Sequence, residues 1–380
     1  MISVIRVLHV VGSLNAGGIE TFLMSVYRQI DRSKVQFDFL VSSDQRFFYS
    51  DEIESLGGGI YPVEQSRYHP KATRYRLKQF YLENNTEIVH QHTGGLQTLM
   101  PLVAAEDAGV PTRVLHSHCA FVEPNSTKAQ LEEVIHKLNT YRTGIATEKF
   151  ACSADAAAYF GFDRHGGEWR YVPNGIDVGR FSFDMGKRKD ARTELGLLDS
   201  TFLIGNIGRF SPQKNQVFLL RAFASVAKRC PDSKLLLVGV GPLEGDIHAE
   251  AERLGLTDRV IFLKNRSDTE RLYAAMDAFA FPSLYEGLGI VLVEAQTNGL
   301  PCVISERIPR EAVYGENVAT VALEGGPEAW TDAMLKCRAA ARSQKGAELT
   351  RSAGFDISTV AASLQDFYLK AAERGARARG

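Results

Sequence analysis

Residues 281–301 read Phe281-Pro282-Ser283-Leu284-Tyr285-Glu286-Gly287-Leu288-Gly289-Ile290-Val291-Leu292-Val293-Glu294-Ala295-Gln296-Thr297-Asn298-Gly299-Leu300-Pro301. The apolar run Ala278 to Phe281 has the form of a buried strand end, and Pro282 stops it. Glu286-Gly287-Leu288-Gly289 is a turn whose glycines permit close backbone approach. An amphipathic helix is expected from about Gly289 to Asn298, ended by Gly299 and Pro301. Its first N–H groups have no helical partners and carry the positive end of the helix dipole, which suits phosphate or hydroxyl groups. Glu286 stands at the mouth of the turn, and Glu294 lies roughly 7 Å beyond the helix start at about 1.5 Å per residue. By themselves the two carboxylates fit a dipole partner and a solvated helix residue equally well.

Outward from this stretch, short apolar runs alternate with helical ones, which is the pattern of a parallel sheet covered by helices. Arg6–Val11, Val35–Val41, Ile88–His90, Arg113–His116 and Lys149–Cys152 read as strands, with helices over Ile19–Ile30 and Leu96–Ala108. The turn Asn174-Gly175-Ile176-Asp177 and the charged run Lys187-Arg188-Lys189-Asp190 interrupt the pattern. It restarts with strands at Leu203–Ile207, Lys234–Val238, Val260–Leu263, Ala278–Phe281 and Cys302–Ile304. The fold class expected is α/β, with two Rossmann-like doubly wound domains facing a central cleft. They span residues 1–185 and 186–359, and a closing helix at about 360–380 returns to the first. Phe355-Asp356-Ile357 leads into that helix, periodic over Val360–Ala372, and the basic tail beyond it reads as disordered.

Composition narrows the function. Lys plus Arg is 44 against 45 Asp plus Glu, so no polyanion such as a nucleic acid is the expected partner. Five scattered cysteines without a Cys-x-x-Cys pair indicate a reducing compartment and no zinc ribbon. The apolar start of the chain runs into a glycine turn and reads as a first buried strand rather than a signal. No apolar run approaches the roughly 20 residues that span a bilayer. The expected location is the cytosol, with room for peripheral membrane contact.

Four further stretches end strands where ligands bind such sheets. The loop Gly12 to Glu20 contains Gly17-Gly18 but does not fit Gly-x-Gly-x-x-Gly, which disfavours a nicotinamide dinucleotide. Gly239-Val240-Gly241-Pro242 is a second glycine turn. In Gly208-Arg209-Phe210-Ser211-Pro212-Gln213-Lys214-Asn215, Arg209 offers a guanidinium fork and Lys214 a point charge to a diphosphate. His116-Ser117-His118 ends another strand. Its two imidazoles share one side, so a metal pair is conceivable, but no third ligand is evident and His90 and His92 read equally well as loop residues.

Glu286 and Glu294, enclosing Gly-Leu-Gly-Ile-Val-Leu-Val and followed by Gly299-Leu300-Pro301, resemble the donor signature of the retaining glycosyltransferases of family 4, which have the GT-B fold. Gly17-Gly18, His116-Ser117-His118, the Gly208 to Asn215 loop, the Gly239 turn and the closing helix resemble family motifs in the family's order. The chain is most similar to bacterial enzymes that build exopolysaccharide or capsule. The resemblance implies sugar transfer from a nucleotide diphosphate sugar, UDP- favoured over GDP-, to a hydroxyl of a growing, lipid-linked saccharide. It implies catalytic roles for His118, Glu286, Arg209 and Lys214. Donor contacts follow for Gly17, Gly18, Gly239, Arg266, Gly287, Leu288, Gly289, Ile290 and Glu294, with His116 and Asn174 in support. Neither a cofactor nor a metal is implied. Cys119 stands where relatives commonly carry asparagine. Nucleotide-sugar epimerases, phosphorylases and a non-catalytic nucleotide-sugar sensor fit the same architecture. The run Arg67 to Lys78 carries five cations and no acid, which suits either a solvated face or an anionic lipid surface.

Overall fold

Seven strands in the first part of the chain are parallel: β1 (Ile5–Val10), β2 (Val35–Val41), β3 (Ile60–Pro62), β4 (Ile88–Thr93), β5 (Thr112–Ser117), β6 (Glu148–Ala151) and β7 (Arg170–Tyr171). Their order across the sheet is β3-β2-β1-β4-β5-β6-β7. Six more follow: β8 (Phe202–Ile207), β9 (Ser233–Val238), β10 (Val260–Leu263), β11 (Ala278–Phe281), β12 (Cys302–Ser305) and β13 (Val318–Val321). They form a second parallel sheet in the order β10-β9-β8-β11-β12-β13. Both orders reverse direction beside their first strand, the doubly wound arrangement in which ligands bind beyond the strands' carboxyl ends. The computed structural model describes residues 4–379 except Ala16, Arg67, 120–126 and 165–166.

The chain divides into one unit of Met1–Gly175 with Ile357–Gly380 and another of Ile176–Asp356. Each has its own core. In the first, Tyr27, Phe37, Phe39 and Phe150 pack with Phe367 and Tyr368 of the last helix, Ile357–Arg379. In the second, Phe223, Leu235, Trp330 and Met334 are central. Strands such as β2 and β9 are buried on both faces, hence their near-continuous apolar runs, whereas the edge strands β7 and β13 are partly exposed. Among the described residues no helix is long and apolar enough to cross a membrane.

Three expectations need correction. Strand β4 runs three residues past His90, so His90 and His92 are buried strand residues, not loop. The basic tail continues the last helix to Arg379, because Ala, Glu and Arg all favour helix and Arg374 pairs with Glu148 at 2.9 Å. The helix after Gly289, Ile290–Thr297, is not amphipathic. Leu292, Val293, Ala295, Gln296 and Thr297 are all buried, since short helices at Val178–Phe181 and Gly346–Ser352 pack on it.

Phe367 is 3% exposed and lies edge-on to Phe150, ring centroids 4.9 Å apart. Phe367→Ala is expected to destabilise the first unit by about 3–5 kcal/mol. Hydrogen exchange should show faster opening of β1 and β4 amides with β8 and β11 unchanged; equal loss in both sheets would refute separate cores.

Candidate active site

The loops after β8 and β11 are laced together by polar contacts. Asn206 Nδ2 donates to the Ala280 carbonyl at 2.8 Å, tying the strand ends. Beyond β8 a tight turn, Pro212–Lys214, ends at Asn215 in the left-handed region (φ 56°), a conformation asparagine tolerates. Asn215 Nδ2 donates to the Pro282 carbonyl, Gln213 Nε2 to the Tyr285 carbonyl at 2.9 Å, and the Leu284 N–H to the Gln213 carbonyl at 2.8 Å. This lacing delivers Lys214 Nζ to 2.6 Å from Glu286 Oε1, with the side chains 15% and 6% exposed. Removing one member of so enclosed a pair would leave an uncompensated charge. Lys214 also stands over the Phe281 ring, 5.0 Å from its centroid. Arg209 is exposed and makes no ion pair among the described residues.

Gly289 precedes the buried helix at φ 87°, where an L side chain would be strained. Glycine is needed at Gly239 for a different reason: a Cβ there would lie 2.1 Å from the Gly208 carbonyl oxygen. The Gly239 turn therefore packs directly on the Arg209 loop. Leu288 is buried at 2% exposure, anchoring the turn that carries Gly287 and Ile290. Glu294 accepts a hydrogen bond from Tyr273 Oη at 2.8 Å, and burial pushes its pKa up to about 7. Arg266 is occupied. Its guanidinium forks onto Asp268 at 2.6 and 2.7 Å and also meets Glu194, and these bonds raise its pKa. Sequence spacing does not reveal Tyr273, Gln213 or Glu194, because each reaches its partner across distant chain.

Gly17, Gly18, His116, His118 and Asn174 belong to the first unit. Gly17 precedes the helix Gly18–Gln29, and Glu20 folds back so closely that a Cβ on Gly17 would meet its Oε2 at 2.4 Å. Phe22 of the same helix lies against both His116 and His118, ring centroids 5.9 and 5.6 Å away. The two histidines are part of a five-imidazole group. His118 Nε2 lies 2.9 Å from His92 Nδ1, and His92 Nε2 lies 2.9 Å from His9 Nδ1. His116 Nδ1 lies 3.2 Å from His90 Nε2, and His90 Nδ1 lies 2.8 Å from Tyr368 Oη. Burial holds all five well below the usual imidazole range, His118 at about 4 with Asn174 opposing the shift, so they are neutral near pH 7.

The chain is similar to known proteins in sequence and in fold. A family model described as glycosyl transferases group 1 matches residues 201–339, which includes the whole laced region. A Bacillus subtilis protein named glycosyltransferase EpsF is 34% identical over 371 residues, 96% of each chain. An Escherichia coli protein named UDP-Gal:alpha-D-GlcNAc-diphosphoundecaprenol alpha-1,3-galactosyltransferase is 29% identical over 225 residues, 58% of this chain and 57% of its own. The fold of Anabaena HepE, crystallised with UDP, superposes with a TM-score of 0.75 at 22% identity, covering 96% of this chain and 99% of that one. Two Rossmann-like units with these neighbours define the GT-B fold of glycosyltransferases. The chain belongs to the group 1 glycosyltransferase family and is a hexosyltransferase-type enzyme.

Burial raises the Glu294 pKa from 4.5 to about 7, so the folded state holds a proton that the unfolded state has lost. Stability contributed by this group is therefore present at low pH and lost as pH rises through that window. Relative to Glu294→Gln, the wild-type second unit should lose about 3 kcal/mol between roughly pH 4.5 and 7, at about 1.4 kcal/mol per unit. Urea midpoints across this range measure it, and parallel curves would rule it out.

Proposed function

We propose that this enzyme, as a member of glycosyltransferase family 4, transfers a hexose from a UDP-sugar to a hydroxyl of a growing, lipid-linked bacterial surface polysaccharide, with anomeric retention. The observation that carries the reading is the Lys214–Glu286 pair at 2.6 Å beside a helix N-terminus. It supports a cation for the diphosphate and a carboxylate for sugar hydroxyls within one hydrogen bond of each other. Arg209, exposed on the same loop, supplies the second cation. Glu294 takes a ribose hydroxyl, and Arg266, held by Asp268, offers the base its planar face. Gly287, Leu288, Gly289, Ile290 and Gly239 line the donor with backbone. On the first unit, His118 is assigned the transferred sugar, Gly17 and Gly18 the donor, and His116 and Asn174 the support of His118.

In the reaction the acceptor oxygen bonds to the anomeric carbon on the face from which the diphosphate leaves. The C–O bond to phosphate breaks with its electron pair going to the diphosphate, and the acceptor proton passes to a departing phosphate oxygen. Arg209 and Lys214 stabilise the charge that develops there, which is the work a metal does in other sugar transferases, so the transfer step is assigned none. The choice of UDP is supported by the HepE complexes with UDP and UDP-glucose and by the name of the E. coli relative. That relative's name includes a diphosphoundecaprenol acceptor, and a structural neighbour, WaaG, is described as acting in lipopolysaccharide biosynthesis.

Calorimetry with UDP, GDP, ADP and dTDP should show selective UDP binding, weakened roughly 30- to 1,000-fold in Lys214→Ala, the loss of about 2–4 kcal/mol expected when a buried charge loses its partner. Equal affinity of the variant, or no diphosphate binding by folded protein, would overturn the assignment. Transfer of the sugar to added acceptor separates this enzyme from an epimerase.

The basic run is proposed to meet anionic lipid at the inner face of the cell membrane. Arg67 lies outside the described residues. The helix Pro70–Glu83 commits Arg74 to Asp107 and Arg76 to Glu64, with Lys78 also near Asp107, and leaves Lys71 on the face that carries exposed Tyr68 and Tyr75. At low salt the protein should sediment with acidic vesicles and be released by salt, and Lys71→Glu with Lys78→Glu should lower binding by about 1 kcal/mol per lysine removed or more. Protein that stays in the supernatant at low salt would end this proposal.

A further inference from the structure

Five of the nine histidines stand together on one face of the first sheet, and the transfer reaction uses at most two of them. We propose that His92, His116 and His118 form a binding site for a divalent first-row transition ion, zinc being the ion their chemistry fits best.

The register places the ligands. His92 on β4 is paired directly with His116 on β5, and His118 is two residues further along on the same side. Two imidazoles at i and i+2 with a third directly across thus come from adjacent strands. One nitrogen from each lies within 4.8 Å of those of the other two, with His92 Nδ1 and His118 Nε2 already 2.9 Å apart. A tetrahedral zinc with bonds of about 2.0–2.1 Å needs its nitrogens roughly 3.4 Å apart. The first pair opens slightly and the third closes inward, which side-chain rotation accomplishes. The third ligand that the His116 and His118 pair lacks in sequence is therefore His92.

For His92 and His116 the opposite ring nitrogen is already engaged in the way that orients ligating imidazoles. His9 Nδ1 holds His92 Nε2, while His90 Nε2, itself fixed by Tyr368 Oη, holds His116 Nδ1. The remaining nitrogen of His116, Nε2, is buried without a hydrogen-bond partner, an unmet requirement that a bound ion satisfies. Coordination through His118 Nε2 puts that ring's proton on Nδ1, which like the Oδ1 of neighbouring Asn174 is buried without a hydrogen-bond partner. Three neutral imidazoles with no carboxylate favour zinc, cobalt, nickel or copper over magnesium or calcium. His116 is fully buried, whereas His118, just after β5, is partly accessible, which gives an ion, and a water or anion as its fourth ligand, a way in. An ion here would withdraw His118 from the sugar and inhibit transfer. That consequence rests on the proposed function; the site does not.

The test uses the whole chain after chelator dialysis, with ZnCl2 titrated by calorimetry and CoCl2 followed by visible absorption. One ion per chain and an intense tetrahedral cobalt spectrum are expected. His92→Gln and His116→Gln should each weaken zinc binding by more than about 100-fold and His9→Gln by roughly 10–100-fold, the range for a group that orients a ligand. The surface variant His69→Gln should change nothing. Absence of zinc binding, a weak octahedral cobalt spectrum in the wild type, or undiminished affinity in folded His92→Gln would overturn the proposal. Should the variants fail to fold, the wild-type cobalt spectrum still decides. UDP binding on the same samples reads the second unit, so a failure of the donor assignment is seen separately.

Discussion

Strands β8 and β11 lie side by side although the side chain of Asn206 reaches a carbonyl 74 residues further along the chain. That adjacency, imposed by a parallel sheet whose order reverses beside its first strand, governs the second unit. Parallel strands cannot be joined by tight hairpins, so every connection must cross a face and every carboxyl-end loop emerges along one edge. Lys214, Glu286, Gly239 and Arg266 all stand on such loops. The Lys214–Glu286 contact is the local result, an ion pair enclosed enough to fix both side chains before any ligand arrives. Charge held in place in this way does not wait for solvent or side chains to reorient.

The first unit handles polar side chains differently. Its central strands bury four imidazoles, and His118 follows directly after β5, among Phe22, Phe37, Phe39 and Phe150, where charged groups would be costly. They are accommodated as neutral rings in two hydrogen-bonded rows, one ending at His118 and the other beginning at Tyr368. Each ring can donate from only one nitrogen, so the tautomer of one member constrains the next. His118 is thereby coupled to His9 through His92, a link that no pairwise view of the His-Ser-His stretch contains.

Much of the fold was legible because parallel strands announce themselves as short apolar runs, and Val35–Val41, Val260–Leu263 and Ala278–Phe281 appear at the expected bounds. The turn around Glu286 was legible because glycine and proline punctuate it. Polar strand residues were harder: nothing in Ile88-Val89-His90-Gln91-His92 tells a buried strand from a loop until neighbours on both sides are known. The helix carrying Glu294 misled for the converse reason, as its environment is set by helices far along the chain. The contact of Arg266 with Glu194, 72 residues earlier, is likewise invisible to local reading.

The last helix has a consequence for biosynthesis. Phe367 and Tyr368 fill the core of the unit made from the beginning of the chain, so that core lacks two of its largest aromatic rings until they leave the ribosome. The whole of Ile176–Asp356 is translated in between. At about 5–20 residues per second this is a delay of roughly ten to forty seconds, during which the later unit can fold while the earlier one stands open. Vectorial synthesis thus inverts the usual sequence of events: the half begun first is finished last, and its uncovered apolar sheet is the surface a chaperone would have to shield.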